Sequence, residues 1–152
     1  MENHIEQYRR SQVSGMSQKD LILMLYRGAI RFLTEAKGAL ADQRYDQWWS
    51  KLDRARKIVL HLYSTLNMEA GQIATDLAAL YSYIVEQICV ANARRETGPI
   101  DVSINILSTV KEAWEQLPDE EKPHLAVAAE RAASLSPAAA AEKRPVGLSL
   151  KA

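Results

Sequence analysis

The stretch Ser17 to Leu40, SQKDLILMLYRGAIRFLTEAKGAL, constrains the fold more than any other, because its apolar surface is too wide for one neighbour to cover. Wound at about 3.6 residues per turn, it gathers Leu21, Ile22, Leu25, Tyr26, Ala29, Ile30, Phe32, Leu33, Ala36, Ala39 and Leu40 on one contiguous side. Asp20, Arg27, Arg31, Thr34 and Glu35 fall opposite. The apolar side spans roughly 180 to 200° of the circumference, against about 100° for an ordinary surface helix. Two arrangements accommodate the excess. The helix is either packed by neighbours on both flanks, or has one flank in the core and the other forming a groove for an amphipathic partner segment. Its start is well signalled, since Ser17 can accept from the backbone N–H of Asp20, whose carboxylate suits the positive end of the helix.

Three more helical patterns follow. After the turn-forming ADQRYD, a helix from Tyr45 to Leu66 carries Trp48, Trp49, Leu52, Ala55, Ile58, Val59, Leu62, Tyr63 and Leu66 at core spacing, with Lys51, Arg54 and Lys57 toward solvent. The NMEAG link leads to a helix from Gly71 to Arg95, with Ile73, Leu77, Leu80, Tyr81, Ile84, Ile88 and Ala91 at core spacing and a basic end that complements its dipole. Thr97-Gly98-Pro99 stops that helix, and Ile100 to Leu117 presents Ile104, Leu107, Val110 and Trp114 before Pro118. No stretch alternates as a strand does. Long helices joined by short links predict an all-α, antiparallel up-and-down four-helix bundle over residues 1–118. Within it, residues 1–16 form a short N-terminal helical segment around Ile5 and Tyr8. Residues 119–152 are rich in alanine and proline and lack aromatic side chains, which predicts a largely flexible tail with one short helix from Leu125 to Leu135.

The chain of 152 residues has 19 basic and 19 acidic side chains, so it lacks the excess positive charge expected of a nucleic-acid binder. The pairs Arg9/Arg10 and Arg94/Arg95 read as solvated surface. The single cysteine, Cys89, excludes an intramolecular disulfide and reads as a buried, inert thiol beside Ile84 and Ile88. The N-terminal MENHIEQYRRSQ lacks the apolar core of a secretory signal, and no run approaches the roughly 18 apolar residues of a membrane span. A cytoplasmic location, with no insertion into a membrane, is expected.

No phosphate-binding G-x-x-x-x-G-K-[ST] loop and no dinucleotide fingerprint occurs. His4, His61 and His124 lie on different segments, and Glu121-Lys122-Pro123-His124 spells a carboxylate–histidine motif only once and around a proline, so neither a metal nor any other cofactor is expected. The best enzymatic alternative is the pair Arg54 and His61, two turns apart on one polar side, with Arg56 as a second possible partner. That arrangement resembles the site of HEPN-type ribonucleases, in which histidine moves the proton and arginine supports the phosphate. A purely structural helical oligomerisation module is a further alternative.

Taken together, the residues resemble the FliS family of flagellar export chaperones. Tyr8 and Val13 are followed by Ser17, by Gln18 where the family favours proline, by Asp20 where it favours glutamate, and by LILMLYRGAIRFL from Leu21 to Leu33. Ala55, Ile58, Val59, Leu62 and Leu66 echo the second helix; Gly71, Ile73, Ala74, Leu77 and the LYSYI of Leu80 to Ile84 echo the third. Ala91-Asn92, then Leu107, Ala113 and Trp114, complete the order. The likeness runs from Tyr8 to about Leu117 and departs from the family at Arg27, usually acidic or neutral, and at Asn67, usually aspartate.

The resemblance implies a non-enzymatic chaperone that binds the disordered C-terminal segment of flagellin in an apolar groove, blocks premature polymerisation and delivers its client to the export gate. Ile22, Met24, Tyr26, Ile30 and Leu33 are the expected client contacts. Ile5 and Tyr8 are candidates for an N-terminal cap or for docking to the gate. Gly28 is open to close approach by a helix or a client, Trp114 is expected in the core, and a weak homodimer is a further association open to such a bundle.

Overall fold

A computed structural model of the chain describes residues 17–116. These residues form four α-helices: α1 (Gln18–Ala41), α2 (Tyr45–Ser64), α3 (Gln72–Arg94) and α4 (Gly98–Glu115), with one 3-10 turn at Met68–Ala70 before α3. The fold is an all-α four-helix bundle, and no strand occurs among the described residues. The N-terminal segment around Ile5 and Tyr8, the Glu121–His124 motif and the Leu125–Leu135 helix lie outside the described residues.

Local chemistry sets the helix ends. Ser17 caps α1, its hydroxyl accepting from the Asp20 N–H at 3.1 Å. α1 closes in a Schellman motif, with the Gln43 N–H donating to the Leu40 carbonyl, the Arg44 N–H to the Ala39 carbonyl, and Gln43 in the left-handed region at φ 59°. Arg95 ends α3 in the same way at φ 52°, with the Glu96 N–H donating to Ala91. Gly71, at φ 81° and ψ −140°, turns the chain into α3 through a conformation that side chains avoid. Pro99 sits in the first turn of α4, where its missing N–H costs nothing.

The helices form a ring in which α1 packs on α2 and α4, and α3 closes it against the same two. Contacts fix the antiparallel sense. Along the α1–α2 seam, Glu35 meets Lys51, Phe32 meets Arg54 and Gly28 meets Ile58, one helix ascending as the other descends. Lys37–Asp101 and Arg27–Glu115 do the same for α1 and α4. The wide apolar side of α1 is thus flanked by two helices: Tyr26, Ala29, Leu33 and Ala36 are fully buried at its centre, while Leu25, Ile30 and Phe32 are partly covered at its margins.

Three expectations need correction. Trp49 and Tyr63 are not core residues; they are 56% and 46% exposed, because adjacent side chains stand about 100° apart and Trp48 and Leu62 take the inward positions. Cys89 is exposed, one residue step around α3 from buried Ile88. Finally, α3 is by length and composition apolar enough to cross a membrane, at mean hydropathy 1.3. In the bundle it acts as a core helix, burying Ala74, Leu77, Leu80, Tyr81, Ile84, Ile88 and Ala91.

Candidate functional site

The expected client contacts on α1 are not brought together on one surface. Met24 is 41% exposed on the outer side, and Ile22 and Ile30 are partly buried against the core. Tyr26 and Leu33 have no exposed surface. Tyr26 instead reaches across the centre of the bundle, where its hydroxyl hydrogen-bonds that of Tyr81 on α3. Burial, and then the facing Tyr81, hold the Tyr26 hydroxyl well above the ordinary tyrosine value; burial pushes Tyr81 up to about 12. The Trp114 indole lies on the same hydroxyl and favours its ionised form, but its N–H is buried without completing a hydrogen bond. Trp114 packs against the core, as its spacing suggested.

The apolar side chains that do reach solvent lie mainly on α2. Tyr45, Trp49, Leu60 and Tyr63 are between 41% and 56% exposed. At about 100° per residue they fall within a strip roughly 60° wide, running about 27 Å along the helix. Ile58 and Lys51, which touch α1, lie on the other flank, so the strip borders α3; accordingly the Arg95 guanidinium at the end of α3 sits 4.0 Å from the Tyr45 ring centre. Sequence periodicity missed this strip because Trp49, three residues from Leu52, and Tyr63, four from Val59, read as core. The signal was the consecutive pair Trp48-Trp49, of which only one can point inward.

The outer seam between α1 and α2 is basic. Arg31, Lys51 and Arg54 surround the half-buried Phe32, their cationic groups 4.9, 5.5 and 5.6 Å from the ring centre. Glu35 is the carboxylate among them. Lys51 donates to it at 2.9 Å, and this hydrogen bond, aided by the charges of Lys51, Arg31 and Arg54, holds its pKa below the ordinary carboxylate value. Beneath them Gly28 admits Ile58, whose Cδ1 lies 3.3 Å from where a Cβ would sit, so Gly28 serves helix packing.

The residues weighed for catalysis do not assemble a reaction centre. Arg54 lies over Phe32, His61 is exposed about 10 Å of helix rise away, and Arg56 is held by Asp53 at 2.7 Å. No group of three metal-ligating side chains occurs among the described residues.

The family model described as flagellar protein FliS matches residues 1–121. The chain belongs to the FliS family. It is 34% identical to the flagellar secretion chaperone FliS of Vibrio cholerae over 125 residues, covering 79% of this chain and 92% of that one. The flagellar secretion chaperone FliS of Campylobacter jejuni is 30% identical over 115 residues, covering 75% and 90%. That of Salmonella typhimurium is 33% identical over 109 residues, covering 70% and 81%. FliS is a family of chaperones rather than of enzymes, and membership supports a role in flagellar export. The family match ends at residue 121.

Proposed function

We propose that this chain is a cytoplasmic type III export chaperone that binds the disordered C-terminal segment of flagellin, prevents its premature polymerisation and delivers it to the flagellar export gate. Membership of the FliS family supports the class of function, and the exposed aromatic strip on α2 is the observation that carries the binding. Tryptophan and tyrosine contribute large, rigid contact areas at modest entropic cost, so Trp49, Tyr45 and Tyr63 suit the anchors of a protein interface. A disordered client can fold in extended pieces around a bundle and so engage more than one face. Of the contacts expected on α1, Met24 offers a second, separate point on the outer side of that helix. Ile5 and Tyr8 are assigned to the cap or to gate docking.

Calorimetric titration with the C-terminal segment of flagellin from the same organism tests this reading. Saturable binding near one to one with a negative heat-capacity change is expected, weakened by Trp49→Asp and, to a smaller degree, by Met24→Asp. No heat at either of two temperatures, together with no binding of full-length flagellin, refutes it.

A further inference from the structure

The α1–α2 seam carries a second recognition chemistry that an apolar client surface does not use. Two guanidinium groups, those of Arg31 and Arg54, lie within 5.6 Å of the centre of one phenyl ring. The nearby carboxylate, Glu35, is already taken by the Lys51 ammonium at 2.9 Å and stands 3.9 Å from Arg31. Arg54 makes no ion pair among the described residues, and Arg31 is 65% exposed, so both forks keep donors free for an incoming acceptor. The ring beneath holds them in place, which reduces the entropy lost on pairing. Arg54 stands on the α2 side of this seam, and next to Phe32 the two helices close on each other where Ile58 packs against Gly28.

We propose that this seam holds an acidic segment of flagellin, with carboxylates on Arg31 and Arg54. The inference rests on the client reading above and adds its charge: the piece of flagellin laid across α1 and α2 is acidic, whereas the piece laid along the α2 strip is apolar. A protein segment fits better than a nucleic acid. The chain has no net positive charge, and Phe32 is covered by its own cations rather than open to stack a base.

The test is binding of monomeric full-length flagellin to the whole chain at about 50 and 300 mM salt, for wild type, for Arg31→Glu/Arg54→Glu, and for a distal variant, Arg27→Glu/Lys37→Glu, which makes the same change of charge on the α1–α4 side of the bundle. Wild-type affinity should fall about tenfold over that range. The seam variant should bind about tenfold more weakly at low salt and vary little with salt, while the distal variant follows wild type. Far-ultraviolet circular dichroism checks that both variants fold, as replacement of exposed side chains should allow. Equal binding by wild type and the seam variant, or equal weakening by the distal variant, overturns the seam while leaving the client reading intact. So does a labelled single-stranded RNA that binds the wild type and is lost only in the seam variant, with flagellin binding unchanged. Failure of the wild type to bind flagellin at all removes the client reading, and this inference with it.

Discussion

Removing the Tyr26–Tyr81 pair should expose how far the centre of the bundle depends on one buried hydrogen bond. Both hydroxyls are buried, at 0% and 3% residue exposure, and they join diagonal helices that otherwise meet mainly through apolar side chains. Tyr26→Phe leaves the Tyr81 hydroxyl in the core without its partner, at a cost of about 1–3 kcal/mol. Tyr81→Phe breaks the same bond and leaves the Tyr26 hydroxyl unpaired instead, at a similar cost. Tyr26→Phe/Tyr81→Phe removes both polar groups, so its cost should be smaller than the sum of the single changes by about 1 kcal/mol or more. The same pair sets an alkaline limit on stability. Burial raises both folded-state pKa values above the ordinary value, to about 12 for Tyr81, so from about pH 10 upward the unfolded chain loses these protons while the folded chain retains them. The stabilisation is complete below about pH 10 and is lost as pH rises toward the folded values, at about 1.4 kcal/mol per pH unit for each tyrosine. Urea unfolding of wild type and the double variant between about pH 8 and 11.5 measures the difference directly and cancels the lysines and remaining tyrosines common to both. Parallel stability profiles, or a Tyr26→Phe variant as stable as wild type, would refute the argument.

Other substitutions test the ends and surfaces of the helices. Ser17→Ala removes the cap on α1 and should cost about 1 kcal/mol in urea unfolding, with Ser17→Asp restoring most of it. Gly38→Ala adds a methyl to an open position in α1 and should stabilise by about 0.5–1 kcal/mol, whereas Gly71→Ala, at φ 81° and ψ −140°, should destabilise by about 1–3 kcal/mol; equal thermal midpoints would contradict the backbone assignment. Trp49→Asp should leave unfolding free energy within about 0.5 kcal/mol of wild type while weakening flagellin binding at least tenfold, which separates the surface role of Trp49 from the core role of Trp48.

The local pattern was legible in the sequence. A capping serine, an apolar face at helical period and a glycine link are interactions between near neighbours along the chain. They placed all four helices within a residue or two of where they lie. The order of family-like residues, spread over those helices, was equally a property of the sequence, and it carried the family. The tertiary structure decided which margin of each apolar face is covered. The wide side of α1 admitted either neighbours on both flanks or one neighbour and a groove; α2 and α4 occupy its two flanks, and Tyr26 and Leu33 lie at its centre. On α2 the pattern could not separate Trp48 from Trp49 or Val59 from Tyr63, since that depends on the angle at which α3 approaches. The cluster of Arg31, Lys51 and Arg54 over Phe32 was likewise invisible, because it joins residues on separate helices that only the antiparallel register of the α1–α2 seam brings together. Periodicity records that a face is apolar, but not how far each neighbour extends over it. That extent follows from ring order and register, which are set by packing of the whole bundle at once.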